Sequence, residues 1–167
     1  MYRLEYCENI RPNLMDRLSA KRRQIIKETF EVLDEDAARV GLTIYARLLC
    51  KHPDYKSLWP QFIAVQDSSL VWSNELKMYG IVFMNAMRFI VDNIDNTAAL
   101  EERIQKIARS HKKYGVHKTH VKNMVTELLA VLSDRLKKND QEVNEAWTVF
   151  LDVIGELLDE FCGHNDK

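Results

Sequence analysis

The feature that most constrains this chain is a pair of glycines set inside long apolar helical patterns. Gly41 and Gly80 each interrupt a run of helix-forming residues. A glycine inside a helix costs about 1 kcal/mol relative to alanine, and the usual compensation is a close approach of two backbones. Two unrelated packing gaps would also account for the pair. If the two glycines meet, their helices cross with almost no side-chain spacer and bring Tyr45 and Tyr79 to one cavity.

The rest of the sequence favours helices throughout. Apolar residues recur at spacings of three and four, and no segment alternates like a strand. Gly (5) and Pro (3) are scarce among the 167 residues. The pattern predicts an all-α fold of six to eight helices, with Ser19 and Ser73 as N-caps and an aromatic corner over residues 54–72. The predicted helices cover about 20–33, 36–51, 119–138 and 140–162. Between them, one helix follows the Ser73 cap with an apolar stripe from Leu76 to Ile94, and another follows residues 93–96 with Leu100 to His111 in phase.

Charge and composition exclude several classes of partner. The net charge is −1, so no strong field of one sign favours nucleic acid or an anionic membrane. No run of about 18 apolar residues predicts a transmembrane helix, and the first residues do not resemble a secretory signal. Three cysteines without a close pair fit free thiols in a reducing compartment. A cytoplasmic location is therefore expected.

One histidine lies in phase with an apolar helical stripe. His111 follows Leu100, Ile104 and Ile107 on the same face. A lone histidine in such a place is more often a hydrogen-bonded core residue than a ligand. A neutral imidazole on a helix beside an apolar cavity is, however, what five-coordinate haem iron requires. The neighbouring Ser110 would then orient the ring or bind a propionate, unless it is a simple surface serine.

Several segments of the chain resemble the globin family. "IARSHKKYGVHKTHV" is similar to the proximal-histidine helix and the corner after it, and "SNELKMYGIVF" to the distal helix. "YARLLCKHPDYKSLW" resembles the end of the second helix and the short third one, and "EAWTVFLDVIGELL" the last helix. The resemblance covers about residues 19–162. It implies a globin domain there, preceded by a leader over 1–18 and followed by a tail over 163–167.

The resemblance implies a haem pocket. His111 would hold the iron of haem b (heme, iron protoporphyrin IX), and the other histidines lie outside the distal helix, so the deoxy ferrous haem would be five-coordinate. Tyr79 stands where the family usually has its distal histidine, and Trp59 replaces the corner phenylalanine. The implied cofactor-binding residues are Tyr45, Trp59, Phe62, Tyr79, Phe83, Ile107, Ser110, His111, Val116 and Val121.

The function implied by the resemblance is reversible binding of dioxygen or another diatomic gas. Tyr45 is the better candidate donor to the ligand, while Tyr79 occupies a gate position; ionisation of Tyr79 onto ferric iron is the alternative. A peroxidase or nitric-oxide dioxygenase would need a separate reductase, because no flavin or nicotinamide domain is evident. A gas or redox sensor and a globin fold without haem are further alternatives. A homo-oligomer is compatible with the sequence.

Overall fold

The computed structural model describes residues 14–163, and within this range the chain is helical and contains no strand. The helices are connected by short turns, and the aromatic corner consists of a 3-10 helix and two single-turn helices. The elements in chain order are α1 (Ala20–Asp34), α2 (Ala37–Lys51), the 3-10 helix η1 (Pro53–Leu58), α3 (Pro60–Ile63), α4 (Asp67–Leu70), α5 (Asn74–Asp92), α6 (Thr97–Lys112), α7 (Lys118–Leu136) and α8 (Gln141–Cys162).

The helix boundaries follow from local capping. The Ser19 hydroxyl accepts a hydrogen bond from the backbone N of Arg22 at 3.3 Å, and the Ser73 hydroxyl accepts one from Leu76 N at 3.1 Å. Both predicted N-caps are confirmed. Helix α7 ends two residues earlier than predicted, because Lys137 adopts a left-handed conformation with φ of 54° and terminates it.

Helix α8 forms the floor of the main core. It packs against α1, α6 and α7, and its Trp147 and Phe150 are fully buried. Helix α2 packs most closely against α5. A second apolar cluster lies beside α2, η1 and α3, with Tyr45, Tyr55 and Phe62 among its buried members.

The packed core begins before Ser19. Residues 14–16 are helical, and the side chains of Met15 and Leu18 are buried in the main cluster. The predicted irregular leader over 1–18 therefore differs from the structure at its end, because two apolar side chains there are buried in the main cluster. Residues 1–13 lie outside the described part of the chain. No helix within residues 14–163 is long and apolar enough to cross a membrane.

Candidate functional site

The site is organised by the crossing of α2 and α5 at the two glycines. A β-carbon added to Gly41 would come within 2.6 Å of the Gly80 carbonyl carbon, and one added to Gly80 within 2.6 Å of Leu42 N. Those atoms belong to the backbone and cannot turn aside. The predicted close crossing is confirmed, and it sets the position of Tyr45 one turn beyond Gly41.

Tyr45 is buried in the second apolar cluster with a free hydroxyl. Only 8% of the residue is exposed, and its ring packs edge-on against Trp59 (5.6 Å between centroids) and Phe83 (5.9 Å). Its hydroxyl makes no hydrogen bond to any residue within 14–163. Burial, and secondarily the proximity of Tyr79, raises the pKa of this phenol far above its usual value. Tyr45 is therefore a neutral donor without an acceptor among the described residues.

Tyr79 differs from Tyr45 because its hydroxyl already has a partner. Gln61 Nε2 donates a hydrogen bond to the Tyr79 oxygen, and Gln61 itself is exposed. The Tyr79 ring contacts Phe62 (5.2 Å between centroids) and Trp59 (6.3 Å) at steep angles. Burial, followed by a smaller contribution from Tyr114, raises the pKa of Tyr79. Tyr79 is thus a neutral phenol at the edge of the second apolar cluster, where its hydroxyl is bonded to the exposed Gln61.

His111 lies near the end of α6 with one ring nitrogen fixed. Its Nδ1 is 2.9 Å from the Ile107 carbonyl oxygen, and since a carbonyl only accepts, Nδ1 carries the proton. Nε2 is left with a free lone pair. Burial lowers the pKa of His111, although the Ile107 hydrogen bond opposes this. The arrangement presents a neutral imidazole that can bind one metal ion through Nε2.

Ser110 supports this imidazole only indirectly. Its hydroxyl donates to the same Ile107 carbonyl at 2.7 Å and lies 3.5 Å from His111 Nδ1. Both side chains therefore share one acceptor one turn earlier in α6. The serine is exposed, so its oxygen retains access to solvent and to any group at the mouth of the site.

Partly buried apolar side chains occur both in the aromatic corner with α5 and along α6 and α7. Helices α5 and α6 are consecutive but scarcely contact each other. Phe83 packs against both apolar clusters, as does Met124 on α7, so these two residues mark where the clusters meet. Partly buried apolar and aromatic side chains can form the wall of a site for an apolar ligand. The predicted wall residues Trp59, Phe83, Ile107, Val116 and Val121 are all in this partly buried state.

The predicted site residues thus fall into two groups. Five of them meet in the second apolar cluster, where Phe62 is fully buried. These five are Tyr45, Trp59, Phe62, Tyr79 and Phe83. The remaining predicted residues lie outside that cluster, along α6, at the start of α7 and in the turn between these helices: Ile107, Ser110, His111, Val116 and Val121.

Sequence reasoning missed two residues of this region. Met124 belongs to the apolar run of α7, and its spacing of three from Val121 was a usable signal. Gln61 gave no signal, because it lies in the aperiodic corner.

The donor set and the walls fit haem. One neutral imidazole nitrogen, aromatic and aliphatic walls, and a phenol without an acceptor within residues 14–163 are the groups that a flat apolar cofactor and a small polar ligand would need. His111 would hold the iron, and the partly buried wall residues would contact the porphyrin.

Comparison with known proteins identifies the same family. The sequence model of the Globin family matches residues 42–158. Among curated proteins, the chain is 24% identical to Cytoglobin-1 of Oryzias latipes over 154 residues, which cover 90% of this chain and 84% of that protein. It is 27% identical to Hemoglobin subunit zeta of Mus musculus over 145 residues, which cover 86% of this chain and 96% of that subunit.

Solved structures agree on the fold. A hexacoordinated heme protein from an anhydrobiotic tardigrade superposes with a TM-score of 0.77 at 18% identity, covering 87% of this chain and 96% of that one. A double mutant of myoglobin from Aplysia limacina gives a TM-score of 0.78 at 17% identity, covering 86% of this chain and 97% of that one. The family match spans well over half of the sequence, and the helix order and crossing agree with it. This chain belongs to the globin family.

Proposed function

We propose that this globin binds dioxygen reversibly at a ferrous haem b held by His111, with Tyr45 as the hydrogen-bond donor to the ligand. The observation that carries the proposal is Tyr45: the residue is only 8% exposed, yet its hydroxyl makes no hydrogen bond within residues 14–163. A phenol on a largely buried ring that bonds to no described residue is available to donate to a ligand that supplies the acceptor.

His111 contributes a fixed axial nitrogen. Its Nδ1–H is held by the Ile107 carbonyl, which sets the ring orientation and leaves Nε2 free for the metal. Ferrous haem supplies the coordination chemistry for dioxygen and other diatomic gases when it is bound. The partly buried apolar walls would limit the access of water to a reduced cofactor held there, and this would slow its oxidation.

Tyr45 contributes ligand selectivity. Dioxygen gains partial negative charge on binding, and a hydrogen bond to such a group contributes roughly 1.5–3 kcal/mol. That corresponds to about 10- to 150-fold in affinity, expressed mainly in the rate of release. Carbon monoxide gains less charge and benefits less from the donor.

Tyr79 acts as a gate in this proposal. Its bond to Gln61 ties the phenol to the exposed corner and not to the ligand. Entry of a ligand past Tyr79 would require this bond to break, so Gln61→Ala should accelerate carbon monoxide association. Direct binding of ionised Tyr79 to ferric iron is disfavoured by the raised pKa of the phenol.

The direct test is a spectral titration of the purified full chain. The ferrous protein should be five-coordinate without gas, change spectrum on adding dioxygen and return when dioxygen is removed. A low-spin, bis-histidyl deoxy spectrum would contradict the proposed coordination. Rapid irreversible oxidation on exposure to dioxygen would instead favour an electron-transfer or dioxygenase role with a separate reductase, and turnover assays with a reductase would test it.

A further inference from the structure

The outer face of α5 carries apolar side chains that no part of residues 14–163 covers. Met78 is 56% exposed, Val82 59% and Phe89 39%. With Asn85 between the last two, these residues follow spacings of four, three and four along α5. We call them the α5 stripe. This spacing is typical of a helix face that packs lengthwise against a second helix.

Opposite charges lie at the two ends of the α5 stripe. Glu75 is one turn before Met78, is exposed, and makes no ion pair with any residue the structure describes. At the other end Arg103 of α6 places its guanidinium 5.2 Å from the centre of the Phe89 ring. Arg103 Nε is buried without a hydrogen-bond partner, and its guanidinium makes no ion pair within residues 14–163. Arg103 as a whole is only partly buried, so its guanidinium is available to pair with a carboxylate of another molecule.

The arrangement is self-complementary. Glu75 and Phe89 are each seven residues from Val82, so they lie about 10 Å from it in opposite directions along the helix. A two-fold axis at Val82 would superpose the acidic end of one α5 on the basic end of another. In such an isologous contact every pairing occurs twice.

We propose that a second copy of this chain packs antiparallel against the α5 stripe, with the axis at Val82. Glu75 of each copy then reaches the partner's Arg103 beside the partner's Phe89. The charge pattern favours a second copy over an anionic lipid surface, because the stripe carries an acid at one end and a polar Asn85 in its middle. The proposal depends on the packing of α5 and not on haem.

Sedimentation velocity of the full chain, saturated with haem where it binds, tests this proposal. The wild type should show a concentration-dependent dimer. Val82→Lys would place two like charges at the axis and should raise the dimer dissociation constant by at least about tenfold. Ile63→Lys is the control: Ile63 is 62% exposed on α3 and is not a member of the stripe, so its variant should dimerise like the wild type. Melting temperatures would confirm that both variants fold.

Charge reversal identifies the pairing itself. Glu75→Arg and Arg103→Glu should each weaken the dimer severalfold, whereas the double variant should restore it, since each reversed charge again meets its opposite across the axis. A wild type that stays monomeric to about millimolar concentration would overturn the proposal. A dimer that Val82→Lys leaves intact, or a double variant weaker than both single ones, would overturn it equally.

Discussion

Two buried tyrosines of this globin should respond oppositely to loss of their hydroxyl groups. Tyr45 and Tyr55 are 8% and 9% exposed and lie in the same apolar cluster. Asn123 Nδ2 donates to the Tyr55 oxygen at 2.5 Å, whereas the Tyr45 hydroxyl has no acceptor within residues 14–163. Each substitution to phenylalanine removes one hydroxyl group, but only Tyr55→Phe removes a hydrogen bond to a described residue.

Tyr45→Phe should speed dioxygen release without loss of stability. A hydroxyl that bonds only to the ligand contributes roughly 1.5–3 kcal/mol to the bound state, so its removal should raise the release rate about 10- to 150-fold. No protein hydrogen bond is lost, so the free energy of unfolding should not fall. Carbon monoxide release should change much less, because that ligand carries less negative charge.

Tyr55→Phe should do the reverse. Loss of the Asn123 bond should lower the free energy of unfolding by about 1 kcal/mol and leave dioxygen release unchanged. Laser photolysis with stopped-flow replacement of dioxygen measures the rates, and urea denaturation of the apoprotein measures stability. If Tyr45→Phe leaves dioxygen release within twofold of the wild type, the account of the distal pocket is wrong.

Three further predictions concern the scaffold. Gly80→Ala should lower the free energy of unfolding by about 1–3 kcal/mol despite better helix propensity, because its β-carbon would meet the Gly41 backbone; calorimetry showing stabilisation would refute the crossing. Glu127, 1% exposed, accepts from Arg47 at 2.9 Å, so Glu127→Gln should cost about 1–2 kcal/mol in urea denaturation, reduced because Arg47 is partly exposed. Burial, then His117, lowers the pKa of His120, so stability should be full above about pH 6.5 and fall on acidification. The fall should be smaller in His120→Gln.

The features that depend on local sequence patterns could be predicted from the sequence. Helix periodicity, the Ser19 and Ser73 caps and the meeting of Gly41 with Gly80 each depend on local preferences or on the exceptional size of glycine. His111 could be selected as a candidate metal ligand because it stays in phase with an apolar stripe. Its Nδ1 contact with the Ile107 carbonyl follows from helix geometry, since Ile107 lies one turn earlier.

The contacts between distant side chains could not be predicted. The bond from Gln61 to Tyr79 joins an aperiodic corner to a helix, so no spacing indicates it. Glu127 sits in a helix whose apolar residues occupy several faces, and only the approach of α2 buries its carboxylate. The burial of Met15 and Leu18 depends likewise on residues distant in the sequence that complete the main cluster, and no local pattern indicates it.

The central claim is that His111 holds the haem, and substitution with exogenous imidazole tests it most directly. Purified His111→Gly should lack the intense absorption band of histidine-ligated haem at roughly 400 nm. Imidazole should fill the space left by the side chain and restore both haem retention and the five-coordinate ferrous spectrum. His120→Gly, a partly buried histidine on α7, serves as the control and should bind haem without imidazole. Normal haem content and an unchanged ferrous spectrum in His111→Gly would contradict the account.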